Sequence, residues 1–402
     1  MSVFLLPPDV LRIGEPTPFA LRDKTGCLLI PRGTVVASEV QLQQLAARDL
    51  YVDDQDSEAL RRAMAGKLDS MVRNNALIGQ IAKARPDSFD VQAIKAPTRK
   101  IDDPLAALSS LQMRASALLR DPTQADFEAR LMRLQLNLAE FIDTDADVAL
   151  LLLVHGATQE LHDYNVRHAM LVAAVCDLAS RHVPTWGDDW RPSLRCAALT
   201  MNVAMTQLQN QLVTQEAPPS AEQRAQIDTH AQAGAAAMRA AGVRDELWLG
   251  AVEHHHDTPA GALANLPAAH QLARLIQRAD IFAARLSPRK RRTALSATAA
   301  AKAVYLDENQ RPDEAGSAII KAIGLYPPGS LVRLRSGEVA VALRRGRRAT
   351  DPAVASIVNP AGHAIAEPSP RDTRLQASEV TSGVAPHEVK VRLNLERLLK
   401  LM

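Results

Sequence analysis

The chain has 402 residues, 47% hydrophobic and 23% charged, with a formal net charge of +2 at pH 7. That length exceeds one ordinary core and predicts two or three domains, while the near-neutral charge excludes a strong global attraction to nucleic acid or anionic membrane. Aromatic residues, at 3%, are too scarce for a base-stacking surface.

The three cysteines, Cys27, Cys176 and Cys196, are widely spaced with no CxxC pair, and read as reduced thiols. Near the N-terminus, Phe4-Leu5-Leu6 is cut short by Pro7-Pro8, which leaves no signal-peptide core. The most apolar run, 148–154, is far too short to span a bilayer. The expectation is a cytoplasmic protein with no membrane partner.

Along the chain, 19–30 predicts two strands around a turn at Lys24-Thr25-Gly26, 38–47 a helix capped by Ser38, and 50–52 a last short strand. Residues 1–57 thus form a small α+β module. A helix over 58–75 and a polar, aperiodic linker over 84–104 follow. From 105 to 325 apolar residues recur at helical spacing, with helices predicted at 105–119, 127–142, 148–161, 165–181, 191–212, 221–241, 246–256, 268–286 and 313–323. Pro184, Pro218-Pro219 and Pro288 punctuate them. The character changes at Tyr326-Pro327-Pro328-Gly329: apolar runs flanking Ser336-Gly337 predict a hairpin, 355–358 a further strand, and 391–402 a final helix or extended arm. The fold class is mainly α: a central all-α domain (105–325) between an N-terminal α+β module (1–57, then helix and linker over 58–104) and a β-rich C-terminal module (326–402).

Chemistry concentrates in the central domain. His254, His255 and His256 stand in an unbroken row, and neighbours on a helix point about 100° apart, so all three cannot share one face. His168 lies in an apolar run, His230 opens His-Ala-Gln-Ala-Gly, and Asp280 is an acid inside a mostly apolar helix; buried carboxylates are unusual unless paired or bound to a cation. His155, His162, His182 and His270 complete the domain's histidines. The basic runs 289–292 and 344–348 read as solvated surface, and nucleic acid is disfavoured as a partner.

In order, these residues resemble the HD-GYP family, a branch of the HD superfamily of metal-dependent phosphohydrolases. Residues 163–169 are similar to that family's first helix with its first ligand histidine. Residues 195–205 stand where the family carries Ala-Leu-Leu-His-Asp-Ile-Gly-Lys. Residues 229–234 are similar to His-Pro-x-x-Gly, 251–256 to Val-x-x-His-His-Glu, and 278–282 to the Ala-Asp-x-x-Asp helix, with Pro288-Arg289 at the Arg-Pro motif. Residues 14–52 and the segment beginning at Tyr326 look like flanking modules of some proteobacterial members.

The resemblance implies metal ligands at His168, His230, His254, His255 and Asp280, with His256, at the glutamate position, facing solvent or acting behind the ligands. It also marks departures: Met201 and Asn202 replace the His-Asp pair, Met205 the frequent lysine, Ala283 the second aspartate, and the Gly-Tyr-Pro triplet is absent. A thioether and a neutral amide cannot supply the anionic ligands that two dications about 3.5–4 Å apart require. The expectation is a degenerate centre holding one divalent ion (Zn, Fe or Mn) or none, its histidines then being remnants in a helical core. No confident catalytic residue remains. The protein is expected to act as a regulatory or binding module in bacterial signalling, with a cyclic dinucleotide or a protein as partner and a homodimer left open. The alternative is a cyclic di-GMP phosphodiesterase with residual activity.

Overall fold

The computed structural model describes residues 101–402 apart from 125, 160–162 and 260, and before them residues 3–5, 17, 20–24, 28–30, 34 and 50–53. The chain divides into two compact units, Met1–Arg99 and Lys100–Met402. In the first, β1 (Val3–Leu5), β2 (Leu21–Arg22), β3 (Leu28–Ile30) and β4 (Tyr51–Asp53) form an antiparallel sheet of order β1-β4-β2-β3. The β2–β3 pair flanks the predicted turn at Lys24-Thr25-Gly26, and β4 overlaps the strand predicted over 50–52. The helices expected over 38–47 and 58–75 lie outside the described residues, as does most of the expected linker.

The second unit is mainly α, as the sequence predicts, with a sheet near its C-terminus. Its helices are α1 (Pro104–Arg120), α2 (Phe127–Thr144), α3 (Ala146–Gln159), α4 (Tyr164–Ser180), α5 (Trp190–Thr200), α6 (Thr206–Thr214), α7 (Ala221–Ala240), α8 (Glu246–Glu253), α9 (Ala268–Leu286), α10 (Ala297–Tyr305), α11 (Glu314–Ile323) and α12 (Leu395–Leu399). Side-chain caps set several starts: Asp103 accepts from the Ala106 N–H before α1, with Pro104 at the first helical position, and Ser220 and Gln223 form a reciprocal capping box before α7. None of the described helices is long and apolar enough to cross a membrane.

The helices pack around α4, in which every residue except Arg167 is buried. It contacts α3, α5, α9 and α11, so no face is left for solvent and each polar group on it needs a protein partner. Asn165 exchanges hydrogen bonds with Asn210 of α6, at 3.1 Å through its N–H and 3.0 Å through its side-chain oxygen. Asp177 is fully buried and meets three guanidinium groups, Arg195 at 2.6 Å, Arg181 at 2.7 Å and Arg191 at 2.9 Å. Burial alone would raise its carboxyl pKa, but Arg191, Arg195 and Arg181 reverse that and leave it below the ordinary value.

One helix expected over 191–212 is instead two. After α5 the chain turns at Met201-Asn202, makes a 3-10 turn at Val203–Met205 and restarts as α6. Side chains here bond locally rather than supporting the ladder: Thr200 Oγ1 donates to Cys196 O at 2.7 Å and Thr206 Oγ1 to Val203 O at 3.1 Å. Helix α10 was not expected, because its Ala-Thr-Ala-Ala-Ala start has no apolar–polar contrast.

The C-terminal sheet comprises β5 (Leu331–Leu334), β6 (Val339–Arg344), β7 (Ala353–Val358), β8 (Ala364–Arg371) and β9 (Val380–Val384), all antiparallel in the order β8-β7-β6-β5-β9. The β5–β6 hairpin turns at Ser336-Gly337 as its sequence predicts, with Gly337 at φ +87°. Strand β8 escapes sequence reading because it contains Pro368 and Pro370, which an edge strand tolerates. The sheet docks on the helices through Gly329, at φ +88°, where a Cβ would come within 2.5 Å of Leu151 O. Arg344 and Arg345, expected as solvated surface, pair with Asp145 and Asp147 at the start of α3.

Replacing Asp177 with Ala leaves three cations around an uncharged site, and is expected to lower stability by about 3–5 kcal/mol in urea unfolding. Because the folded pKa of Asp177 lies below its unfolded value, this stabilisation is present above about pH 4 and is lost as pH falls through the folded pKa. The acid limb of the stability profile should therefore flatten in Asp177→Asn. Gly329→Ala should cost at least about 1 kcal/mol from the left-handed backbone alone, with the approach to α3 adding to it.

Candidate metal centre

Three helices, and the turn that follows a fourth, deliver the candidate side chains. His168 lies one turn into α4, whose start is set by the Asp163 carbonyl accepting from the Val166 and Arg167 N–H groups. His230 sits at the middle of α7. Asp280 projects from α9, whose face carrying Leu272, Leu275, Ile276, Ala279 and Phe282 is buried in the core. The histidine row follows α8, which begins with Asp245 accepting from the Trp248 N–H and ends at Glu253.

His230, His255 and His256 converge. The Nε2 atom of His230 lies 3.2 Å from Nε2 of His255 and 3.3 Å from Nε2 of His256. On the far side of two rings, His230 Nδ1 contacts Ile227 O at 2.5 Å and His255 Nδ1 contacts Val252 O at 2.6 Å. A carbonyl oxygen only accepts, so both Nδ1 atoms carry the proton and both Nε2 atoms present lone pairs. Two lone pairs 3.2 Å apart repel unless a cation or proton lies between them. Three nitrogens around a tetrahedral ion at 2.0–2.1 Å would stand about 3.3 Å apart, which is the spacing of the two pairs that His230 forms. The second nitrogen of a ligand histidine is typically held by such an oxygen partner.

The electrostatics agree with this assignment. Burial, followed by the neighbouring His256, holds the His255 imidazole down to about 3, and burial also lowers His230. Both rings are therefore neutral at neutral pH, the form that ligates metal. His230 and His255 are each only 1% exposed, whereas His256 faces solvent. The cluster is thus open on the His256 side.

His168 and Asp280 form a second pair beside the triad. His168 Nε2–H donates to Asp280 Oδ1 at 2.6 Å, and its Nδ1 faces the Tyr164 hydroxyl at 3.4 Å. Tyr164 Oη in turn lies 3.5 Å from Arg289 Nη2, whose guanidinium sits 5.8 Å from the centre of the Tyr164 ring. Burial would raise the Asp280 carboxyl pKa, but the His168 hydrogen bond and charge, then His255 and His256, bring it to about 2. Asp280 is therefore an anion, within electrostatic reach of the triad but not among its converging atoms. Arg289 also lines a cavity of about 400 Å³ together with Lys290, Arg291, Arg292 and His387.

Of the five expected ligands, His168, His230, His254, His255 and Asp280, only His230 and His255 belong to the converging cluster, and His168 and Asp280 pair beside it. His254, expected with His230 and His255, turns away: its Nδ1 lies 2.8 Å from Asp257 Oδ2. His256, expected to face solvent or act behind the ligands, takes the third place while keeping an exposed side. The cause is the helix end. The expected helix ran to 256, but α8 stops at Glu253; the His254 N–H caps it on Gly250 O and the Asp257 N–H turns back to His254 O. The rings then follow turn geometry instead of 100° steps. Tyr164 and Asp257 were not singled out from sequence, although Tyr164 precedes His168 by one turn. His162 lies outside the described residues.

Met201 is fully buried in the hydrophobic core, as is Ala283, while Asn202 and Met205 are half-buried. Among His168, His230, His255, His256, Met201, Asn202 and Asp280, Asp280 alone is a carboxylate. The donor set fits one borderline divalent ion held by three imidazoles with an open position. It does not fit two, whose mutual repulsion calls for bridging carboxylates.

No family model matches the chain, and no curated protein matches it. Among solved structures it is similar to Bd1817, an HDG"Y"P protein from Bdellovibrio bacteriovorus, at 13% identity over 80% of this chain and 99% of that one, with a TM-score of 0.41. So distant a match bears on neither the site nor its chemistry.

Asp280→Ala removes the acceptor of a buried imidazole N–H and is expected to lower stability by about 1–3 kcal/mol. Asp280→Asn keeps an acceptor oxygen and should lose less, which chemical denaturation of the two variants will resolve.

Proposed function

We propose that this chain is an HD-GYP-like helical protein whose centre is reduced to a single metal position, and that it works as a binding or regulatory module rather than as an efficient phosphohydrolase. The observation that carries the reading is the convergence of three Nε2 atoms, two of them bare lone pairs at 3.2 Å. The order of the motif-like segments supports the relationship. The side chains of Met201 and Asn202, at the family's His-Asp positions, supply neither imidazole nor carboxylate.

A divalent ion in the triad supplies Lewis-acid polarisation of a phosphoryl oxygen when bound. The remaining roles belong to this chain's own residues. Arg289, with Lys290 and Arg292, offers positive charge to an anionic phosphodiester. Tyr164 fixes the His168 ring through Nδ1, and Asp280 holds its Nε2 proton. An anionic ligand of the cyclic dinucleotide class, which the family resemblance implies, matches this pairing of imidazoles and guanidinium groups. The second reading, residual metal-dependent phosphodiesterase activity, is favoured by the solvent-open side of the triad at His256, where a substrate oxygen could enter.

Protein purified without a histidine tag, incubated with cyclic di-GMP and Mn or Fe, separates the readings when binding and hydrolysis are followed together. The expected result is binding without turnover, weakened at least tenfold in Arg289→Ala. Turnover that disappears in His255→Ala would establish the enzyme instead. Neither binding nor turnover would exclude a cyclic di-GMP module and leave a protein-binding scaffold.

A further inference from the structure

We propose that His254, Asp257 and His270 form a second divalent transition-metal site, distinct from the His230–His255–His256 cluster, where the turn after α8 meets the first turn of α9. The inference does not rest on the proposed function, because none of its three residues belongs to the triad or to the His168–Asp280 pair.

The three side chains converge on one point. His254 Nδ1 lies 2.8 Å and His270 Nε2 4.0 Å from the same atom, Asp257 Oδ2. One potential ligand atom from each residue lies within 4.8 Å of the other two. The imidazole rings stack, 4.2 Å between centroids and 20° between planes, so both present their edges to the carboxylate. Two imidazoles and a carboxylate with the remaining positions open to water is a donor set suited to Zn²⁺, Co²⁺ or Ni²⁺. Drawing these atoms to ligand distances of about 2.0–2.2 Å takes only side-chain rotation, which half-exposed residues allow: the three keep 34%, 48% and 26% of their side-chain surface.

The backbone beneath the cluster is tied down. The His254 N–H is held by Gly250 O and the Asp257 N–H by His254 O, while Asp257 O accepts from Gln277 Nε2 of α9 at 3.3 Å. His270 sits on a regular helix. The ligands are therefore presented by a turn pinned at both ends and by a rigid element, the arrangement a preorganised site needs.

A second, independent observation concerns His270. Its Nδ1 is buried with no hydrogen-bond partner, and among the described residues its Nε2 has none within hydrogen-bond distance, the Asp257 carboxylate being 4.0 Å away. The Nε2 edge, unlike Nδ1, is not a buried unpaired atom and is free to take a ligand on the carboxylate side. Coordination through Nε2 gives that nitrogen a partner that none of the described residues supplies. The rival account, a stacked histidine pair beside a surface acid, explains the His254–Asp257 bond but gives His270 Nε2 no partner among the described residues.

The site joins the end of α8 to the start of α9, across the connection that carries Thr258, Gly261 and Leu263 along a cavity of about 650 Å³. The histidine row thereby serves two sites, His254 on one side and His255 with His256 on the other.

The test is Zn²⁺ stoichiometry on the untagged full chain by equilibrium dialysis and elemental analysis, with Co²⁺ absorption spectra reporting the ligand field. The wild type should bind two equivalents. His270→Ala and Asp257→Asn, each checked for native circular dichroism, should each lose one equivalent and the same Co²⁺ band. His230→Ala should lose the other equivalent and keep that band. Unchanged Zn²⁺ content in both His270→Ala and Asp257→Asn would overturn the proposal. So would a single wild-type equivalent lost only in His230→Ala, which leaves the triad reading intact. A single equivalent lost only in His270→Ala and Asp257→Asn supports this site and removes the central one, while no bound metal at all removes both.

Discussion

A helix buried on every side dictates much of this protein. Only Arg167 of α4 escapes burial, and the three strongly polar side chains it carries inward cannot turn to water. Each must find a partner on another helix, and each partner fixes a neighbour. Asn165 takes Asn210 on α6, Asp177 gathers Arg191 and Arg195 of α5, and His168 takes Asp280 on α9. Hydrophobic burial draws the helices together without specifying register. These directional contacts supply register, because a slip by one residue would strand a buried charge or imidazole.

The candidate centre inherits its precision from that arrangement. Asp280 is placed against α4 by His168, and the same helix α9 presents His270 to the turn after α8. His230 and His255 are oriented differently, by the backbone carbonyls one turn back, Ile227 O and Val252 O. Each carbonyl accepts from its ring's Nδ1–H and so aims the Nε2 lone pair outward from its own helix. Helix α7 and the turn that ends α8 then bring two such lone pairs to 3.2 Å. The site's ligand chemistry is a consequence of helix ends and local hydrogen bonds, not of the number of histidines.

Charge limits what such a site can do. Neutral imidazoles bind a dication without offsetting its charge, and the nearby anion is Asp280, already engaged with His168. A second dication at close range would meet repulsion that neutral imidazoles do nothing to relieve. On the proposed reading, a centre of this composition suits binding and orientation of an anion more readily than in-line phosphoryl chemistry on two metals.

The helical class, most helix spans, the β5–β6 hairpin and the identity of the metal-competent residue types were all legible in the sequence, because helical and strand periodicity, caps and turn residues act locally. Met201 and Asn202 are likewise legible by chemistry alone as side chains that bring neither imidazole nor carboxylate. What remained hidden depends on where elements stop and meet. Nothing local tells that α8 ends at Glu253 rather than His256, that the run over 191–212 breaks at Met201-Asn202, or that proline-bearing β8 joins a sheet edge. Those outcomes are decided by packing against α7, α9 and the rest of the sheet. The first of them turns His254 away from the cluster and His256 into it, because the direction of a side chain beyond a helix end is set by tertiary contacts and not by spacing in the chain.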